Sequence, residues 1–169
     1  MPSTSVSRII AAPADEIWET LADIENATRW NASWKEIEIT SSQTHGEGTR
    51  FRAKVDDELA FEFEVADWVA PEFISFTPVH DPMEPAYSIT LDGHAFRLTK
   101  IDERATAVEL IASATVHGFR GIIMGLFMWS NHQKPGLVHA LDRLQAVFEP
   151  DKEFVEDETI GVLEEDDSK

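Results

Sequence analysis

The chain has 169 residues, a formal net charge of −18 at pH 7 and no cysteine. Its length suits one domain, and the lack of cysteine excludes disulfides, thiolate catalysis and cysteine-based zinc sites. The negative charge argues against binding to nucleic-acid phosphates or anionic membrane surfaces, because both depend on clustered cations.

The first predicted elements lie in residues 9–30, where a short apolar strand leads into two helices. Pro13 suits the first position of a helix, because its missing N–H would have no intrahelical partner there. The apolar residues that follow fall at helical spacing and predict one buried face: Ile17, Trp18 and Leu21. A second short helix is predicted to end at Arg29-Trp30.

The middle of the chain alternates apolar and polar residues, which predicts antiparallel strands with one wet face. The predicted strands cover residues 35–40, 49–55, 59–65, 72–77, 94–101 and 105–116. Residues 78–86 contain three prolines and indicate a loop, whereas the strand status of residues 87–91 stays open. Asp92-Gly93 fits a hairpin turn or a bulge in one long bent strand, and we favour the bulge because curved sheets need such kinks.

A helical period of 3.6 begins at Phe119 and predicts a long C-terminal helix that ends near Phe148. Pro135 cannot donate a backbone hydrogen bond, so a kink or break is expected near residues 131–135. Residues 150–169 hold nine acidic residues against two lysines. This composition predicts a disordered acidic tail, with a docking segment as the alternative.

Several segments resemble the polyketide cyclase/dehydrase branch of the START-like (SRPBCC) superfamily. They are Ala12–Trp18, Leu21-Ala22-Asp23 with Arg29-Trp30, Asp67–Pro71 before a strand, and the strand pair from Phe96 to Val116. The turn Glu103-Arg104-Ala105-Thr106 departs from the family, which usually places Gly-Thr there. The resemblance covers roughly residues 5–149, so we expect a single domain over 1–149 and an acidic tail over 150–169.

The resemblance implies an α+β helix-grip fold. In this fold a curved antiparallel β-sheet of about six to seven strands wraps around a long C-terminal α-helix, with two short helices after the first strand. An internal cavity between sheet and helix follows from this arrangement. The superfamily has no fixed catalytic motif, so the resemblance assigns no catalytic residue.

We select candidate ligand-binding residues on three grounds. They lie on the inward face of a predicted strand, lie on the apolar face of the long helix, or, like Trp30, are placed near a cavity entrance by the family resemblance. The set is Trp30, Phe51, Phe61, Phe63, His94, Phe96, Leu110, Ala112, Leu126, Ser130 and Gln133. His94 is the candidate acid or base, and its alternative is a hydrogen-bonded core histidine. Ser130 and Gln133 either orient a polar group of the ligand or are turned outward by the kink at Pro135. Ala112 either leaves room for a ligand or complements large phenylalanines in a filled core.

The histidines lack metal-ligand spacing, and the chain has neither a G-x-S-x-G elbow nor a P-loop, so we expect no metal and no cofactor. We expect the cavity to bind a hydrophobic, ring-bearing or lipid-like small molecule. The alternatives are a polyketide cyclase or aromatase that uses His94 as a proton shuttle, and an interaction module acting through residues 122–129 or the tail. No signal pattern or membrane-spanning run is present, which favours a cytoplasmic protein without membrane insertion. We expect a monomer or a weak homodimer.

Overall fold

We describe residues 3–80, 89–116 and 129–151 of a computed structural model, with residues 80, 89–91 and 129–132 taken as backbone only. The elements in chain order are β1 (Ser3–Ile10), α1 (Ala14–Ala22), a 3-10 helix (Ile24–Arg29), β2 (Glu36–Ile39), β3 (Arg50–Lys54), β4 (Ala60–Val69), β5 (Phe73–His80), β6 (Ile89–Asp102), β7 (Ala105–Val116) and α2 (Trp129–Phe148). Residues 122–128, most of the predicted loop at 78–86 and nearly all of the predicted acidic tail lie outside these ranges.

One antiparallel sheet contains all seven of these strands, in the order β1-β7-β6-β5-β4-β3-β2. Strands β2 to β7 pair with their neighbours in the chain, and β1 returns to pair with β7. A sheet with one apolar face must cover that face, and α2 packs against it together with α1. The predicted α+β helix-grip fold is therefore confirmed.

A bulge bends the long strand β6 at the point where the sequence left two interpretations open. The β6–β7 register shifts between Leu91 and Gly93, and β6 begins at Ile89, so the bulge is correct and the hairpin turn is not. Gly93 has φ +148°, and a Cβ atom at this position would overlap the backbone carbonyl oxygen of Phe76. The bulge thus requires glycine because β5 approaches the backbone of β6 too closely for a side chain.

Alternating burial along β7 defines the inner face of the sheet. The buried positions of this strand are Thr106, Val108, Leu110, Ala112 and Ala114. Helix α1 packs its predicted apolar face, Ile17, Trp18 and Leu21, into the same core. Pro13 is the N-cap of α1 rather than its first helical residue, since its extended backbone precedes the first helical turn.

Helix α2 runs without interruption through Pro135, so the chain does not break there, and the alternative of a kink stays a prediction. The proline removes only the hydrogen bond to the Asn131 carbonyl, and the following turns are held by three buried leucines: Leu137, Leu141 and Leu144. The C-terminal half of α2 is also attached to the first strand. Gln145 Nε2 donates to the Ile9 carbonyl at 3.2 Å, and Glu149 Oε1 accepts from the Ala11 N–H at 2.9 Å.

Candidate functional site

A cavity of about 190 Å³ lies between the inner face of the sheet, the segment after the 3-10 helix, and the N-terminal half of α2. Its aliphatic wall comes from Leu110 on β7 and from Leu137 and Ala140 on α2. Leu137 and Ala140 lie three residues apart in α2, so their side chains project from the same face of the helix. The cavity is therefore the space that α2 leaves unfilled where it crosses the sheet.

Five aromatic side chains form most of the remaining wall: Trp30, Trp34, Phe63, Phe76 and Phe96. The ring of Trp30 is central, with its centroid 5.2 Å from that of Phe96 in an edge-to-face arrangement and 5.6 Å from that of Trp34. The 3-10 helix ends immediately before Trp30, whose backbone N–H donates to the Ala27 carbonyl. This hydrogen bond fixes the backbone at Trp30, whose side chain is buried in the core.

His94 brings the one ionisable side chain among the described lining residues. It lies on β6 between Phe76 of β5 and Ala112 of β7, so its cross-strand partners carry no charge. Burial lowers the pKa of His94 to about 4, because desolvation penalises the charged imidazolium. The imidazole is therefore neutral at pH 7. Which of the two interpretations of His94 holds, a candidate acid or base or a hydrogen-bonded core histidine, stays a prediction.

The other polar groups of the wall differ in whether they have a hydrogen-bond partner among the described residues. Asn31 Oδ1 accepts a hydrogen bond from the Ser33 backbone N–H at 3.1 Å. Trp30 Nε1 is buried, and none of the described residues accepts its hydrogen bond. Gln133 is partly buried and lines the cavity from α2. The site thus combines apolar walls with a few polar groups, which is typical of small-molecule pockets.

The structure separates the candidate ligand-binding residues into groups. Those that line the cavity are Trp30, Phe63, His94, Phe96, Leu110 and Gln133. Phe51 and Ala112 are fully buried in the core outside the lining, and Phe61 is partly buried against that core. Leu126 lies outside the described residues, and for Ser130 only the helical backbone is described. Whether any of these residues contacts a ligand stays a prediction.

Sequence reasoning missed several lining residues, of which Trp34 and Phe76 are the largest. Trp34 follows the 3-10 helix in a segment without periodicity, so no pattern assigned it a direction. Phe76 lies on a strand that also carries Phe73 on the opposite face, where Arg97 covers its ring at 5.7 Å. Large apolar residues on both faces hide which side of β5 is inward. The cavity is also lined by Asn31, Ser33 and Gly136, which no sequence pattern singled out.

Clusters of metal-ligating side chains and membrane-spanning helices are two features that the described part of the chain does not show. No three histidine or carboxylate side chains of residues 3–80, 89–116 and 129–151 gather in a way that would hold a metal ion. Within the same ranges, no helix has the length and hydropathy needed to cross a membrane.

Comparisons with known proteins agree with this architecture. Residues 1–149 match the family model described as polyketide cyclase / dehydrase and lipid transport. Protein XoxI from Bacillus cereus has a similar fold, with a TM-score of 0.69, 13% identity, and coverage of 91% of this chain and 100% of that one. No curated protein matches in sequence.

Two further solved structures are similar. A START superfamily protein from Mycobacterium smegmatis has a TM-score of 0.65 at 15% identity, covering 90% of this chain and 100% of its own. The Zhui aromatase/cyclase from Streptomyces sp. R1128 has a TM-score of 0.63 at 18% identity, covering 87% of this chain and 93% of its own. At these identities the likeness shows the shared fold.

Proposed function

Because this chain belongs to the polyketide cyclase / dehydrase and lipid transport family, we propose that it binds a hydrophobic, ring-bearing or lipid-like small molecule in the cavity under α2. The observation that carries the proposal is the cavity itself, with five aromatic rings and three aliphatic side chains in its wall. Protein interiors normally fill such space to crystal-like density. An unfilled, mainly apolar space therefore favours a ligand over a purely structural core.

The size of the space supports the same proposal. The cavity measures about 190 Å³, whereas an engineered apolar cavity of about 150 Å³ stays dry and binds benzene. Transfer of apolar surface from water into such a space contributes about 25 cal/mol for each Å² that is buried. A single ring that is buried on both faces therefore gains enough free energy to bind measurably.

The first experiment combines native mass spectrometry of freshly expressed protein with amide-shift mapping during titration with aromatic compounds and fatty acids. A matched pair of variants localises the effect. Ala140→Phe places a ring into the cavity from α2, whereas His139→Phe places the same ring on the exposed face of the same helix. We expect Ala140→Phe to abolish ligand binding and His139→Phe to retain it.

Two results would contradict the proposal. One is the absence of any co-purifying or titratable ligand, with amide shifts of Phe96 and Gln133 unaffected by every compound. The other is binding that survives in Ala140→Phe at unchanged affinity, which would place the ligand elsewhere. Urea unfolding of both variants checks that the added ring has not disrupted the fold.

A second candidate function is a cyclase or aromatase acting in the same cavity, and His94 is the observation that favours it. A neutral imidazole can accept a proton from a carbon between two carbonyl groups. That carbon then attacks a carbonyl further along the chain, and the imidazolium returns the proton to the alkoxide that forms. Elimination of water and enolisation of the remaining carbonyl groups complete an aromatic ring. Incubation with a synthetic poly-β-ketone tests this function, with formation of a cyclised product by the wild type and its loss in His94→Gln as the expected result.

The organisation of the chain is also part of the proposal. We infer a single domain over residues 1–149, an acidic tail over 150–169, and a cytoplasmic monomer or weak homodimer. Light scattering over a range of protein concentrations measures the oligomeric state. A mass that rises to a stable dimer at micromolar concentration would instead favour an interaction module.

A further inference from the structure

The outer face of the sheet lies opposite the face that α1 and α2 cover, and its side chains fall into two halves. The outward side chains of β2, β3 and the start of β4 are mostly charged and alternate in sign across the strands. Arg50 and Glu64 are one such pair, with Nε and Oε2 2.6 Å apart. The outward side chains of β1, β5, β6 and β7 are mostly small, hydroxylated or apolar.

We call this second half the neutral face, defined as the outward side chains within residues 5–9, 73–75, 95–99 and 107–111. Its two charged residues, Arg97 and Glu109, form an ion pair with Nη1 and Oε2 2.8 Å apart. The neutral face therefore has no net charge, although the whole chain has a formal net charge of −18. Because like charges repel, a second copy can approach this face at a lower electrostatic cost than the acidic surfaces of the chain.

The neutral face also offers groups that a second copy can reach. Ile9 is 61% exposed at one corner, and Ile111 is partly buried near the centre. The side chains of Arg97 and Glu109 remain 55% and 34% exposed. Interface cores are usually poor in charged residues and gain from removing apolar surface from water, so this half of the sheet suits an interface better than the charged half.

The strand register makes the neutral face complementary to itself. Its central strands are β6 and β7, with β5 and β1 on either side. A twofold axis that runs along the strands between β6 and β7 places each side chain of β6 opposite the side chain of the partner's β7 in the same row. Arg97 then faces Glu109 of the partner subunit, and Ala95 faces the larger Ile111 of the partner subunit. Charge and size are thus matched in both neighbouring rows.

The extent of the neutral face indicates how strong such an interface can be. Four strands about 4.8 Å apart and three rows about 7 Å apart cover about 400 Å² on each copy. The two copies together would bury about 800 Å², which is less than the 1,200 Å² or so that stable complexes need. An interface of this size fits a weak homodimer.

We propose that two copies of this chain form a weak homodimer through the neutral face, with Arg97 of each copy paired to Glu109 of the other. The interface is isologous, so each contact occurs twice. Sheets that pack face to face lie about 10 Å apart with their strands aligned to within about 30°. The inference rests on the weak-homodimer alternative within the proposed function and assigns a surface to it.

The first test is sedimentation equilibrium of the full chain from micromolar to millimolar concentration. We expect the wild type to be monomeric at the lower end and to shift towards a dimer at the upper end. Ala95→Glu places a carboxylate beside the axis and should weaken dimerisation at least about tenfold. Ala60→Glu makes the same change on the outer side of β4, beside Lys54 and outside the neutral face, and should associate like the wild type.

Charge reversal tests the pairing itself. Arg97→Glu and Glu109→Arg should each weaken dimerisation at least about tenfold, because like charges then face each other across the axis. In an equimolar mixture, one copy carries two acids at these positions and the other carries two bases. Every pair across the interface is then of opposite sign, so the mixture should form a heterodimer at least as tight as the wild-type homodimer. Variants that had lost their fold could not recover association on mixing.

Three outcomes would overturn the inference. A wild type that stays monomeric at millimolar concentration refutes the homodimer. Association of Ala95→Glu at wild-type strength places the interface elsewhere, and a mixture that associates no better than its separate components refutes the pairing of Arg97 with Glu109. Native mass spectrometry reports ligand retention by the monomer, so each of these results leaves ligand binding in the cavity to be judged separately.

Discussion

The neutral state of His94 predicts how stability depends on pH. Burial lowers its pKa from 6.5 to about 4, so between these values the unfolded chain binds a proton that the folded chain does not. Stability therefore falls as pH is lowered through this window, and the contribution is absent above the unfolded pKa. The replacement His94→Gln removes the titration while keeping a polar side chain of similar length.

The magnitude follows from the two pKa values. Each unit is worth about 1.4 kcal/mol, so the full effect below pH 4 is about 3 kcal/mol of unfolding free energy. Between about pH 7 and about pH 5 the linkage relation gives a loss of about 2 kcal/mol. This upper range is the useful one, because most carboxylates remain ionised in it and contribute little to the difference between variants.

The assay is urea unfolding, followed by tryptophan fluorescence, of the wild type and two variants at several pH values. His94→Gln should lose less stability than the wild type on acidification, by about 2 kcal/mol at about pH 5. His139→Gln removes an exposed histidine from α2 and should follow the wild type. Parallel curves for wild type and His94→Gln would refute the reasoning, as would an NMR titration that places the pKa of His94 near 6.5.

Three substitutions test the packing around the site, each by urea unfolding at pH 7 against the wild type. Gly93→Ala should destabilise by at least about 2 kcal/mol, because its Cβ would meet the Phe76 carbonyl, and unchanged stability would contradict the close approach of β5 and β6. Gly136→Ala should instead stabilise by up to about 1 kcal/mol, since nothing lies near an added Cβ in the helix; destabilisation would show a hidden clash. Gln145→Ala should cost about 1 kcal/mol because the part-buried hydrogen bond to the Ile9 carbonyl is lost, and a loss near zero would argue against that contact.

The sheet could be predicted from the sequence because its strands obey a simple rule. Alternation along residues 105–116 assigned the inward positions of β7 correctly, since a strand with one buried face has a period of two. The glycine in β6 indicated a bulge for a reason that the structure makes explicit, namely the approach of the Phe76 carbonyl. Local patterns therefore sufficed for the elements and for much of the core.

The cavity could not be predicted in the same way, because it depends on where elements meet. The alternation along the strands places both Phe51 and Phe63 on the inner face of the sheet. Phe51 is nevertheless buried in the core outside the cavity wall, whereas Phe63 lines the cavity. The two rings are stacked with centroids 5.5 Å apart, and only the position of α2 decides which one borders empty space. Trp34 lies between the 3-10 helix and β2, where no helical or strand periodicity indicates which way its side chain points.

The attachment of α2 to β1 has a consequence for self-association. An exposed sheet edge offers free N–H and C=O groups to another chain, which invites aggregation by strand addition. At the end of β1, the side chains of Gln145 in α2 and of Glu149 just after α2 already occupy the Ile9 carbonyl and the Ala11 N–H. At the opposite edge, β2 has only four residues, and Glu36 and Glu38 are two of them. Each of these features reduces what the sheet offers to strand addition by another chain.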